Sequence, residues 1–108
     1  MKIVSTMLLT LGLVVLAGKA LAADTGLQLA QKSGCLSCHD VDKKKVGPAY
    51  KDVAAKYRGQ VGAEAKLVAK VTHGGSGVWG PIPMPPKGGN ANLSDMDIKK
   101  LVSWVLSL

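Results

Sequence analysis

Both cysteines of this 108-residue chain fall in one pentapeptide, Cys35-Leu36-Ser37-Cys38-His39, and that placement governs what the rest can fold into. Two thiols at this spacing share one side of a single helical turn. There they can add to the two vinyl groups of one porphyrin, and the adjacent imidazole falls where it can ligate the iron. C-x-x-C-H is the attachment sequence of c-type haem. Three other uses of C-x-x-C compete. A redox-active dithiol belongs after a strongly apolar strand in a βαβ setting, whereas Leu27 to Gly34 reads as a short, polar-flanked helix. Tetrahedral zinc needs four ligands, so Cys35, Cys38, His39 and the distant His73 would have to converge with unusual spacing. The third use is a strained local disulfide, which an oxidising compartment favours when the thiols are not otherwise engaged.

The first residues point to such a compartment. Lys2, the uncharged and mostly apolar run Ile3 to Leu16, and Ala20-Leu21-Ala22 read as a cleaved export signal. The uncharged stretch from Ile3 to Gly18 is short of the roughly 20 residues of a spanning helix. Lys19, not cysteine, follows Gly18, so there is no site for lipidation. The expected division is a leader over 1–22 and a soluble domain over 23–108, located in the periplasm. Loss of Lys2 and Lys19 would lower the formal charge of +7 by two and leave all seven acids. A basic exported protein with no reading element for nucleic acid is better explained by docking to acidic protein partners.

Size adds a constraint. The chain has no phenylalanine, and its aromatics are Tyr50, Tyr57, Trp79 and Trp104. Domains this small are marginal without a staple. A haem is a large apolar plate that would complete such a core.

Periodicity is helical throughout, and no alternation marks a strand. Leu27, Ala30 and Gly34 space a short helix into the cysteine motif, and Tyr50, Val53, Ala54 and Tyr57 mark a second. A third is expected over Glu64 to Val71 with Ala65, Val68, Ala69 and Thr72 on one side, stopped by Gly74-Gly75. The fourth opens on the capping pattern Ser94-Asp95-Met96-Asp97 and carries the stripe Ile98, Leu101, Val102 and Val105. Between the third and fourth lies Gly74 to Leu93, too rich in Gly and Pro for regular structure and long enough to be functional.

An iron held by His39 leaves its opposite face open. Met84, Met96 and His73 are the candidates in residues 23–108. Met96 stands between Asp95 and Asp97, where solvation is the rule, and His73 beside Gly74-Gly75 reads as an exposed histidine. Met84 lies in Trp79-Gly80-Pro81-Ile82-Pro83-Met84-Pro85-Pro86, where flanking prolines fix the backbone. Met84 is therefore the favoured second ligand. His/Met ligation saturates the iron and raises its potential, which describes an electron carrier and not an enzyme.

With both ligand segments located, the chain resembles the small bacterial class I cytochromes c, and within them the short periplasmic monohaem proteins of denitrifiers and ammonia oxidisers. The blocks that carry the resemblance are Cys35 to His39, Val46 to Tyr57 and Gly77 to Pro86. It implies an all-α fold of about four short helices around one covalently bound haem c, with the first and last helices crossing. It also implies a monomer that shuttles single electrons to a terminal reductase, such as nitrite reductase, or to an oxidase. By the same resemblance Cys35 and Cys38 carry the thioethers, His39 and Met84 ligate iron, Pro48 accepts a hydrogen bond from the His39 ring, and Trp79 reaches a haem propionate. Lys70 stands where the family often has arginine, keeping the charge without the bidentate fork. Lys43-Lys44-Lys45, Lys51, Lys56, Lys66, Lys70 and Lys87 are candidates for a positive docking ring. Two rival functions are a thiol–disulfide oxidoreductase using Cys35 and Cys38, and a haem sensor or peroxidase with an open iron position.

Overall fold

The computed structural model describes residue 12 and residues 18–108, with side chains from Thr25 onward. The expected leader, 1–22, falls largely outside the described residues. Among the described residues four helices form: α1 (Gly18–Lys32), α2 (Tyr50–Tyr57), α3 (Ala63–His73) and α4 (Asp95–Leu106). A 3-10 turn, Cys35–Ser37, follows α1, and a second, Pro86–Gly89, precedes α4.

Each helix end has an identifiable cause. Ser94 caps α4, its Oγ accepting the Asp97 N–H at 3.1 Å, and Asp95 and Asp97 complement the positive end of the helix dipole. The first turn of α2 has no side-chain cap. Its free N–H groups go to the segment just after the cysteine motif: Tyr50 N–H donates to the Asp40 carbonyl at 2.9 Å and Lys51 N–H to that of Val41 at 3.0 Å. Gly62 and Gly74 bound α3, both at positive φ.

The packing centre is α4, which lies against α1, α2 and α3. Ile98, Leu101, Val102 and Val105 are all buried, as the stripe predicts, and Trp104 joins them. They meet Ala30 of α1, Tyr50 and Val53 of α2, Leu67 of α3 and Leu93. The crossing of α1 and α4 depends on a missing side chain. A Cβ on Gly26 would stand 2.1 Å from Cγ of Trp104, so only glycine lets the indole lie against the α1 backbone.

Two expectations change. In α3 the buried residues are Ala63 and Leu67, while Ala65 and Ala69 of the expected stripe are exposed. Alanines fit either side of a helix, so they made a period that does not mark the inner face. The all-helical expectation gains a small antiparallel sheet: β1 (Gly75–Gly77) pairs with β2 (Gly80–Met84), through Gly75 with Met84 and Gly77 with Gly80. No alternation could announce it, because glycine and proline make up most of both strands. The paired positions on β2 avoid Pro81 and Pro83, which have no N–H to give.

The Gly26 contact is testable because two effects oppose. Helix propensity favours alanine over glycine by about 1 kcal/mol, whereas forcing a methyl into a packed crossing costs about 1–3 kcal/mol. Gly26→Ala is expected to destabilise the protein in denaturant unfolding, and its loss is expected to shrink in a Trp104→Ala background. A stabilised Gly26→Ala variant contradicts the crossing.

Candidate functional site

The turn Cys35–Ser37 hangs from Gly34, whose φ of 85° reverses the chain at the end of α1. Backbone bonds then close it: Cys38 and His39 N–H both donate to the Cys35 carbonyl, at 3.2 and 3.0 Å. Cys35 is half-buried and Cys38 exposed, each a free thiol. Burial pushes the Cys35 thiol up from its ordinary value, and interaction with the Tyr50 hydroxyl offsets part of that.

His39 has a defined orientation. Its Nδ1–H donates to the Pro48 carbonyl at 2.8 Å, which leaves Nε2 with a free lone pair. Gly47 N–H donates to the Cys38 carbonyl at 2.8 Å, bringing the Gly47-Pro48 corner back onto the motif. Tyr50 packs its ring on the imidazole, centroids 4.8 Å apart, and meets Trp104 edge-on at 5.5 Å.

These residues form one wall of a cavity of about 490 Å³. Cys35, Cys38 and His39 line it from the motif, Val53 from α2, Leu67, Lys70 and Val71 from α3, and Leu101, Val102 and Val105 from α4. Met84 reaches the same cavity from the end of β2, together with Trp79, Ile82 and Pro85. Two backbone details place it there. Gly74 turns the chain at φ 69°, and a Cβ on it would lie 2.4 Å from the Met84 carbonyl oxygen. The structure thus gathers Cys35, Cys38, His39 and Met84 at a single chamber. Of the other candidates, Met96 is 67% exposed, and His73, exposed at the end of α3, faces a separate, more open groove beside Asp95 and Lys99. Among the described residues no three His, Cys, Asp or Glu side chains converge as a metal cluster would require.

The donor set fits the group that the motif calls for. Two thiols and an imidazole come from one turn, a thioether sulfur comes from the hairpin, and the space between has apolar walls. Lysines, not carboxylates, stand at the rim: Lys44, Lys45, Lys70 and Lys87 line the cavity, and among the described residues no Asp or Glu does. Lys56 adds a fifth charge, its Nζ 5.6 Å from the Trp79 ring centroid. Lys51 of the expected ring pairs with Asp42 instead. The Tyr50 stack, the Gly47 approach and the Lys56–Trp79 contact are not visible in the sequence, since each joins residues with no shared motif or period.

Comparison with known proteins agrees with this geometry. Residues 17–108 match the family model described as Cytochrome c. Cytochrome c-551 of Allochromatium vinosum is 61% identical over 82 residues, covering 76% of this chain and 84% of that protein. Cytochrome c-552 of Nitrosomonas europaea is 50% identical over 86 residues, covering 80% and 81%. The crystal structure of wild-type N. europaea cytochrome c552 superposes with a TM-score of 0.70 at 51% identity, over 76% of this chain and 98% of that one.

Tyr50 gives the site a pH signature. Burial above all pushes its phenol well above the ordinary tyrosine value. The folded state therefore keeps a proton that the unfolded chain releases near pH 10. Stability from this group is intact below that pH and declines above it. A spectrophotometric titration is expected to find the Tyr50 phenol protonated beyond pH ~10 until unfolding exposes it, and Tyr50→Phe to remove that part of the alkaline loss. An ordinary phenol midpoint in the folded protein contradicts the burial.

Proposed function

Because the chain belongs to the cytochrome c family, whose members carry a covalently bound haem c and act as electron carriers, we propose that it is a soluble periplasmic one-electron shuttle with His39 and Met84 as its two axial ligands. The observation that carries this reading is the meeting of Cys35, Cys38, His39 and Met84 at one apolar cavity. Residues 1–22 are the export leader in this proposal, and residues 23–108 the carrier domain. No helix among the described residues is long and apolar enough to cross a membrane.

The bound group supplies a reversible one-electron couple. The chain's own residues decide how that couple behaves. Cys35 and Cys38 anchor it through thioethers. The Pro48 carbonyl fixes the proton of His39 on Nδ1, so that Nε2 would be left to hold the iron with a defined basicity. Met84 is held at the end of a proline-framed strand, and its thioether favours the ferrous state. Leu67, Val71, Leu101 and Val105 keep water from the site and so disfavour the more charged ferric state. With both axial positions filled by the chain, substrate has no place to bind, which separates this reading from a peroxidase or a ligand sensor.

Electrons are exchanged with other redox proteins. In the proposal these present acidic docking surfaces to the rim formed by Lys44, Lys45, Lys70 and Lys87, and they pass the electron on to a terminal reductase or oxidase. Exposed Val46, Val78 and Ile82 supply apolar contact beside those charges.

The purified protein is expected to show a haem spectrum that survives acid-acetone extraction and a far-red sulfur-to-ferric-iron band. Met84→Ala is expected to keep the haem attached, lower the potential, abolish that band and open the iron to carbon monoxide. An unchanged potential and spectrum in that variant contradict the assignment of Met84. For docking, the association rate with an acidic redox partner is expected to fall as ionic strength rises from about 0.01 to 0.15 M, over which the screening length shortens from about 30 to 8 Å. A rate independent of salt contradicts the lysine rim.

A further inference from the structure

His39 is held by more than the Pro48 carbonyl. The planes of its ring and the Tyr50 ring lie within 19° of each other. The Gly47 backbone comes so close to the same imidazole that a methyl there would stand 2.5 Å from Cε1, 2.9 Å from Nδ1 and 3.0 Å from Nε2. Tyr50 is itself immobilised. It is buried, its ring meets Trp104 at 80°, and its N–H is tied to Asp40.

An imidazole bound through Nε2 keeps one soft coordinate, rotation of its plane about the bond to the metal. A hydrogen bond at the ring edge restrains that rotation loosely, because carbonyl oxygens accept from a broad range of directions. A near-parallel ring restrains it more firmly, since turning one plane against the other loses stacking contact. The close glycine backbone leaves little room for the ring to swing away.

We propose that Tyr50 is a positioning residue for the proximal ligand: its ring, with the Gly47 backbone, clamps the plane of the His39 imidazole, and that plane sets how unpaired spin of the ferric iron spreads over the haem. The inference rests on His39 being the iron ligand. Tyr50 has no exchangeable role in it, since its phenol stays neutral and only the ring face acts.

The test is the proton NMR spectrum of the ferric holoprotein, in which the haem methyl resonances are ordered and spread by that spin distribution. Tyr50→Phe keeps the ring and is expected to keep the wild-type order. Tyr50→Leu removes the ring and is expected to change the order or narrow the spread, with the haem still attached and the Met84 band retained. Ile98→Ala, a core change away from the cavity, is expected to lower stability while leaving the order as in wild type. Gly47→Ala drives a methyl against the imidazole with Tyr50 in place, and is expected to shift the same resonances; it decides the matter if Tyr50→Leu does not accumulate. A wild-type order in either Tyr50→Leu or Gly47→Ala overturns the clamp. So does a change in Tyr50→Phe or Ile98→Ala as large as that in Tyr50→Leu. A wild-type holoprotein without shifted His39 imidazole resonances overturns the ligation itself, which is a separate result.

Discussion

The hydrogen bond from His39 Nδ1 to the Pro48 carbonyl, 2.8 Å long, organises more than one side chain. For Pro48 to lie there the chain must fold back on itself directly after the cysteine motif. Gly47 N–H, bound to Cys38, and the first N–H groups of α2, bound to Asp40 and Val41, secure that return. The same return lays Tyr50 on the imidazole and delivers the apolar face of α2 to α4. Asp40 stiffens the bend by accepting from Asp42 and Lys43 N–H at 2.8 and 3.3 Å, which holds its carboxyl below the usual range. The orientation of His39 and the packing of the helices are thus set by one stretch of backbone.

The core has a matching division of labour. Its full-time members, Ile98, Ala30 and their neighbours, occupy the junction of α1, α2, α3 and α4. Leu67, Leu101, Val102 and Val105 face both that junction and the cavity. A chain this short, without phenylalanine, has few large apolar side chains to build a core on both sides of that cavity. The prosthetic group required by the family therefore completes the interior as well as the function.

Much of this was legible beforehand where side-chain chemistry and period agreed. The Ser94 cap and the α4 stripe follow from residues whose burial and hydrogen bonding are decided locally, and the span of α2 follows from its apolar period although its first N–H groups bond outside the helix. The cysteine motif and the proline-framed Met84 stand out for another reason: few residue types could supply such chemistry, and the structure places them on one cavity. In α3 the period points to the wrong face because Ala65 and Ala69 satisfy a helical spacing at no cost in either direction. The hairpin leaves no mark in the sequence because its pairing lies in backbone groups of Gly75, Gly77, Gly80 and Met84. The packing of Tyr50 on His39 is invisible in principle, since Tyr50 serves the α2 period equally well whether or not its other face meets an imidazole.

The two prolines of β2 have an effect beyond holding Met84. A two-stranded sheet at the surface has open edges, and an open edge invites another chain to extend it. Between Gly80 and Met84 only Ile82 retains an N–H, because Pro81 and Pro83 have none. Along β2 a visiting strand would find no continuous ladder of N–H groups to join. Contact on that edge therefore leans on side chains, which meet and part faster than a zipped backbone. For a carrier that must leave each partner in order to reach the next, this edge is built for release.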